Sequence, residues 1–453
     1  MSNGRPRRRS ILGGLLFIFL GGLLLVNNLY ADLRLGEMFR NYWPVLLILW
    51  GLAKMFDYFA ARRTGDAAAA AFTGGEFFLL ILLFAFGGAI GFFDWARNNP
   101  DMDIDWGPWE QRYSISEETV QKNVKPAASI TISTEYGDIT VLPEDTADIR
   151  VVALKSLGHV GVVSENSAKE RAEQVKVEIR EDAGIYTVRP VEQKSGRRVT
   201  VDLEVHVPKQ AGVDARTGRG NIKITGLGGS IAADSRRGDV NVRDAGKDVQ
   251  AQIRRGNLQV SNVKGSVRVG GRGNDVDVSD VAGDASIEGE FSGPIRAKNV
   301  ARSVRFLSQR TDLTIGALPG RLELDSGDLR VYDANGNVTL TTSHKDIRMD
   351  DVSGRIRIDN KKGNVELRFK NAPREDMEVN NESAGIDVTL PASSAFEIQA
   401  SSRNGDIDTG FEGPALTKSD QNGTAKLEGK IGSRGPQIRL KTTYGTVSVR
   451  KGP

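Results

Sequence analysis

Eight cations, Arg219, Arg237, Arg255, Arg272, Arg310, His344, Lys362 and Arg403, recur at one place in a repeating pattern, three or four residues ahead of the first apolar residue of successive short segments. If those segments are strands that stack, equivalent residues lie directly above one another, and the cations form a broken basic ladder along one edge. Like charges at that spacing repel unless something anionic screens them. The chemistry such a ladder allows is attraction of an anionic envelope polymer, lipid head groups or an acidic partner. The competing account is an edge charged against aggregation, softened by Asp239, Asp275 and Asp406.

Bond-making chemistry has thinner support. His159, His206 and His344 are scattered, and His206 falls inside an alternating segment, where it reads as a strand residue. There is no nucleophile elbow, Walker-type loop or H-E-x-x-H string. Asp101, Asp103 and Asp105 alternate like the start of a calcium loop, but Trp106 stands where the turn glycine belongs and Arg112 where the closing Glu belongs. Gly270-Gly271-Arg272-Gly273-Asn274-Asp275 opens like a calcium-binding nonapeptide, yet Asp277 occupies its apolar position and Gly-Gly does not recur nine residues on. A polysaccharide-cleaving enzyme needs paired carboxylates along a groove, whereas many Asp residues here fall at corners. No catalytic, cofactor-binding or metal-binding residue is therefore expected, and the chain reads as non-enzymatic with no cofactor. Its 61 Lys and Arg nearly balance 58 Asp and Glu, so a net charge of +3 gives no bulk argument for nucleic acid. The absence of cysteine excludes disulfides and thiolate sites.

The elements that position the cations show in the apolar residues. Ile222 and Ile224 are echoed nine residues later by Ile231 and Ala233, and the unit repeats about every 18 residues: Val240 and Val242 with Val249 and Ala251, Leu258 and Val260 with Val267 and Val269, Val276 and Val278 with Ala285 and Ile287. Ile295 and Val304, Leu313 and Leu322, Leu329 and Val338, Ile347 and Ile356 continue it. An i, i+2 pair marks a strand with one buried face, too short to hold a core alone, so the units must stack. A further apolar residue marks one corner (Leu227, Ala245, Val263, Val281), followed two later in most coils by a Gly that fits positive φ, as at Gly229, Gly265, Gly283, Gly320, Gly336 and Gly354. The other corner is Gly-Asn or Gly-Asp, whose side chains suit bonding to their own backbone. The pattern predicts a mainly β chain, a parallel β-solenoid of roughly ten coils, with Val240, Leu258 and Leu313 inside.

The first hundred residues are different material. Ile11 to Val26 is apolar and glycine throughout, Tyr42 to Phe59 is interrupted by Lys54 and Asp57, and Phe77 to Phe93 carries no charge. They predict an α-helical transmembrane region of three spans, about 11–29, 42–59 and 75–93, with a re-entrant second segment and a cleaved signal for the first as the rival readings. Arg5, Arg7, Arg8 and Arg9 precede the first span and Arg62 and Arg63 follow the second, against Arg34 and Arg40 between them. The positive-inside rule then puts the N-terminus in the cytoplasm and the C-terminal domain outside a cytoplasmic (inner) membrane. The domains expected are a transmembrane region at 1–96, a juxtamembrane linker at 97–126, a first coil and β-rich cap at 127–212, solenoid repeats at 213–410, and C-terminal coils or cap at 411–453.

Tyr136-Gly137-Asp138-Ile139-Thr140-Val141, Val205-His206-Val207-Pro208 and the Gly-Asp-Ile-type repeats resemble the bacterial putative-adhesin family of β-solenoids over about residues 125–450. Gly21-Gly22-Leu23-Leu24-Leu25 and Tyr42-Trp43-Pro44-Val45-Leu46-Leu47-Ile48-Leu49 resemble the transmembrane region of LiaF-type envelope proteins. The resemblance implies a solenoid fold and a part in sensing or restraining envelope stress, and it supplies no catalytic residues. The expectation is a membrane-anchored envelope protein whose extracytoplasmic solenoid binds or senses an envelope component and whose spans meet other membrane signalling proteins. The alternative is a structural or adhesive rod that self-associates by end-to-end stacking.

Overall fold

The structure, a computed structural model, describes residues 111–159, 165–192 and 199–452. The three expected spans, the first part of the linker and the Asp101, Asp103 and Asp105 run lie outside these residues. Among the described residues no helix is long and apolar enough to cross a membrane. They belong to one compact unit, Pro108–Pro453.

Each 18-residue coil contributes one strand to each of two facing sheets. In the first sheet Val240 pairs in parallel with Ile222, Leu258 with Val240, Val276 with Leu258 and Ile295 with Val276. In the second, Ile231 pairs with Val213, Val249 with Ile231, Val267 with Val249 and Ala285 with Val267. The apolar pairs point between the sheets, and Val240, Leu258 and Leu313 are 1%, 1% and 0% exposed. No coil owns its core, because each apolar residue is covered by the coils above and below it.

The stack is not parallel throughout. Thr311–Leu324 crosses both sheets in the opposite sense, antiparallel to Val304–Leu307, to Ile295–Val300 and to Asp328–His344. It meets the second sheet first, at Leu313, and the first sheet later, at Leu322. A coil run backwards keeps the nine-residue echo, so the sequence reads it as one more parallel coil. From Asp328 the parallel order resumes, with Ile347 on Leu329 and Ile356 on Val338.

Neither terminal coil stands at an end of the stack. Ser129–Tyr136 lies between Ile185–Glu192 and Gly212–Arg219. At the other end Gln437–Tyr444 lies between Met377–Ser383 and Phe396–Asn404, and Val447–Gly452 between Ile386–Pro391 and Ile407–Thr409. Outside them sit antiparallel pairs: Val175–Asp182 on Ile185–Glu192, Ile149–His159 on Thr200–Pro208, and Leu416–Gln421 on Thr424–Ile431. Part of the expected linker is itself a strand, Gln111–Gln121, paired antiparallel with Ile149–His159. Its half-buried side is Tyr113, Ile115, Glu117, Thr119 and Gln121, too polar to show as a strand in sequence.

The corners correct two expectations. Gly238 has φ 136°, and a Cβ there would stand 2.1 Å from the Gly220 carbonyl oxygen, so both φ and stacking demand glycine. The residue after it bonds the next coil rather than its own backbone: Asn221 N–H donates to Asp138 Oδ1 at 2.7 Å, Asp239 N–H to Asn221 Oδ1 at 2.8 Å, and Asn257 N–H to Asp239 Oδ1 at 2.7 Å. At the opposite corner, of the six glycines expected at positive φ only Gly336 is there. The left-handed residue is the one before the corner apolar, Asp244, Asn262, Asp280, Asn299, Asp333 or Asp351, types that tolerate that region. Gly229 is required for space alone, since a Cβ would meet Ala211 O at 2.1 Å.

Candidate functional site

The Gly-Asn/Asp corner carries the cations, because the strand of the second sheet ends just before it. Gly137, Gly220 and Gly238 N–H groups donate to the carbonyls of Arg219, Arg237 and Arg255 at 2.8, 2.8 and 3.0 Å. These three arginines therefore occupy one register in consecutive coils, about 5 Å apart. Arg219 and Arg237 are half-buried and Arg255 is exposed. The register begins at Tyr136, which pairs with Arg219 and whose ring centroid lies 5.8 Å from the Arg219 guanidinium carbon.

The remaining predicted cations do not extend this row. Arg272 pairs with Glu290, one position short of the Gly273–Phe291 pair that continues the Arg255 register. It belongs instead with Arg236 and Arg254, a second row that sequence reasoning missed although Arg236-Arg237-Gly238 and Arg254-Arg255-Gly256 display it. Arg310 sits in the turn between Val304–Leu307 and the reversed Thr311–Leu324. His344 and Lys362 pair with each other beyond that turn, and Arg403 lies one residue before Asn404, which pairs with Tyr444. The predicted single ladder is thus two rows of three arginines offset by one coil, doubled in the two coils of Arg236-Arg237 and Arg254-Arg255, and separate cations elsewhere. The first row ends at Gly273 and Phe291 and the second at Glu290, in coils that are still parallel, so the rows stop before the reversed coil is reached.

Where the rows end lies a depression of about 330 Å³ lined by Arg254, Arg255, Arg272, Gly273, Asn274, Glu290, Phe291 and Ser292. Its shape follows from a change inside the corner. In most coils a buried Thr, Ser or Asn caps corner carbonyls from within: Thr217 Oγ1 donates to Gly137 O at 2.9 Å, Ser235 Oγ to Gly220 O at 3.0 Å, Asn381 Nδ2 to Gly363 O at 2.9 Å. At the depression this position is held by Ile253, then by Gly271 at φ 117° and Gly289 at φ 146°. The Gly-Gly-Arg-Gly string that resembled a calcium repeat is this remodelled corner. No group of residues suited to a metal ion occurs among the described residues.

A larger groove of about 810 Å³ lies on the second sheet near the C-terminal end, where Asp359, Glu378, Glu382 and Glu428 face Lys361, Lys426, Arg439 and Lys441. Its mixed charge sets it apart from the basic corner. His206 is buried in Thr200–Pro208 with Nδ1 2.7 Å from Glu144 Oε1 and Nε2 2.9 Å from Glu204 Oε1. The bond from Arg150 holds the Glu144 carboxyl below the usual carboxylate range, against the opposing effect of burial. The contacts of His206 are those of a strand residue within an ion network. Lys345, beside His344, turns away from the edge to donate from Nζ to the Asp325 carbonyl, and burial lowers its pKa.

The model of the Toastrack DUF4097 family matches residues 127–450, and that of the LiaI-LiaF-like transmembrane region matches residues 11–55. No curated protein matches the chain. Among solved structures, the chain is similar to a putative cell adhesion protein from Clostridium sporogenes, at 7% identity over 75% of this chain and 100% of that one, with a TM-score of 0.17. It is also similar to a putative adhesin from Bacteroides fragilis, at 11% identity over 74% and 97% with a TM-score of 0.20. A putative lipid binding protein from Parabacteroides distasonis matches at 11% identity over 74% and 96%, with a TM-score of 0.18. Likeness at such scores carries no argument about ligand or partner.

Proposed function

The chain belongs to the Toastrack DUF4097 family and carries a LiaI-LiaF-like membrane region, and from that premise we propose a non-enzymatic envelope protein whose toastrack domain binds an anionic envelope component along its basic corner. The observation that carries this reading is the stacking of Arg219, Arg237 and Arg255 in successive coils. Three arginines whose backbones stand about 5 Å apart offer one polyanion several contacts at once, and their attraction is screened by salt. In this reading three spans hold the N-terminus in the cytoplasm and the domain outside, where such polymers and head groups are met, and the spans relay binding to membrane signalling partners.

The rival reading, a rod that polymerises end to end, is less well supported. Antiparallel pairs cover the outer coils at both ends of the stack, which is how repeat proteins stop strand addition.

The test is retention of the full-length protein on anionic envelope polysaccharide. Changing Arg219, Arg237 and Arg255 together to Gln is expected to reduce retention and flatten its salt dependence while the fold persists. Equal retention of both proteins at low salt would leave the corner as a solubility device. Protease digestion of the domain in intact cells with a permeabilised outer layer, sparing the arginine cluster at the N-terminus, is the result expected for the orientation.

A further inference from the structure

Arg254, Arg255 and Arg272 converge on a cavity that charge pairing does not explain. Several arginines on strand faces elsewhere carry a carboxylate two residues away, as in Arg216 with Asp214, Arg348 with Asp350 and Arg357 with Asp359. No ion pair reaches Arg254, Arg255 or Arg272 among the described residues. The one carboxylate lining the depression, Glu290, is engaged by the Gln309 N–H at 2.7 Å. Phe291 is half-buried, packs against the core and lines the same depression. The glycines at 271 and 289 complete the shape: a Cβ on Gly289 would stand 1.9 Å from Gly271 O, so the corner can close up only without side chains.

We propose that the depression bounded by Arg254, Arg255, Arg272 and Phe291 is a binding site for a compact phosphate ester. One guanidinium fork satisfies a carboxylate, whereas three present more donors than two oxygens can accept and match a phosphate group. The volume of about 330 Å³ lies at the small end of ligand pockets, room for a phosphate and a short carbon substituent. Phe291 supplies an apolar wall for that substituent. The site rests on the reading of the basic corner as an anion-binding edge and adds a defined, saturable ligand to it. The same chemistry is offered by a free phosphate monoester and by the diester head group of an anionic lipid.

The experiment is calorimetric titration of the full-length chain in maltoside micelles with glycerol 3-phosphate, glycerophosphoglycerol (the deacylated lipid head group), inorganic phosphate and glycerate. Saturable binding of one or both esters is expected, weaker binding of inorganic phosphate, and none of the carboxylate glycerate. Arg254→Gln and Arg272→Gln should each weaken ester binding about tenfold or more, the loss of a charge-assisted contact, while Arg296→Gln on the first sheet leaves it unchanged. Tighter binding of glycerophosphoglycerol identifies the head group as the source, and tighter binding of glycerol 3-phosphate the free ester. Absence of saturable ester binding, or equal affinity in the Arg254 and Arg272 variants with unfolding temperatures unchanged, overturns the site. Polyanion retention that falls in Arg219→Gln with Arg237→Gln separates the two readings, because it upholds the edge whether or not the pocket binds an ester.

Discussion

Two parallel stacks, residues 212–307 and 328–452, are built on the same coil and differ in how they treat charge and the inside of the corner. In the second stack most strand-face arginines are compensated: Arg330 pairs with Asp328, Arg348 with Asp350, Arg357 with Asp359 and Arg368 with Glu366. In the first, Arg216 pairs with Asp214 and Arg236 with Glu135, but no ion pair reaches Arg243, Arg254, Arg255, Arg268, Arg272, Arg296 or Arg305 among the described residues. Exposed pairs contribute little stability, so the difference concerns the electrostatic field and not the fold. Inside, the second stack keeps a polar row of Thr342, Asn360, Asn381, Thr442 and Ser402, while the first abandons it after Ser235 for Ile253, Gly271 and Gly289. Three of these uncompensated arginines, Arg254, Arg255 and Arg272, meet the vacated interior at one corner, a coincidence that a solubility edge does not require.

The reversed coil between the stacks offers the largest perturbation. Leu313 and Leu258 are both buried, and an Asp at either costs on the order of 3 to 5 kcal/mol as an unpaired buried charge. In a nearest-neighbour stack the damage from Leu258→Asp should stay in residues 212–307, whereas Leu313→Asp should loosen both stacks. Hydrogen exchange resolved by peptide is the measurement. Equal loss of protection across 328–452 in Leu258→Asp would make the two stacks one cooperative unit and confine their difference to charge.

Glycine substitutions sharpen the comparison at the corners. Gly238→Ala places a Cβ against the Gly220 carbonyl at positive φ and should lower stability by about 1 to 3 kcal/mol. At Gly327, in the hairpin that ends the reversed coil, the nearest atom to a new Cβ is 3.9 Å away, and Gly327→Ala should stay within about 0.5 kcal/mol of the parent. Denaturant midpoints at equal m-value report both. Comparable losses at the two positions would mean that the corner stacking does not set the glycine requirement.

The coil was legible in the sequence because one short apolar pair per strand suffices to announce it, and Ile222, Val240, Leu258 and Val276 align at the register their spacing demands. Its direction was not, since Leu313 and Leu322 stand nine residues apart whichever way the strand runs. The penultimate placement of both terminal coils was equally hidden: Ile438 looks like any other strand residue, and only its two partners, Met377 and Ile398, reveal the insertion. Of the candidate site, Arg219, Arg237 and Arg255 were visible as a row because they keep a strict period. Arg272 stands one residue short of that register, a shift that a spacing of three or four residues conceals. Phe291 gave no signal, being an aromatic at a corner position where three earlier coils carry arginine and the adjacent one Gly273.

The smallest expected effect concerns acid. Asp284, in the first stack, accepts the Ser303 hydroxyl at 2.7 Å and the Ser303 N–H at 3.1 Å, and the hydroxyl bond is the main reason its carboxyl lies below the ordinary 3.8. Asp325, in the turn after the reversed coil, is lowered first by the Asp328 N–H and then by the Gly327 N–H. A carboxyl whose folded pKa lies below its unfolded one contributes stability above the unfolded value, and that contribution is lost as pH falls through the folded value. Below about pH 4 both bonds should therefore weaken, and stability should fall with pH rather than rise. Asp325 is exposed and solvent screens its share, so Asp284→Asn should flatten the acid limb of the stability curve more than Asp325→Asn does. Unfolding temperatures recorded from neutral pH downward test the order. A steeper acid limb in Asp284→Asn would show that its carboxylate is not held by Ser303 in the folded protein, and that the inter-coil bond of the first stack survives protonation.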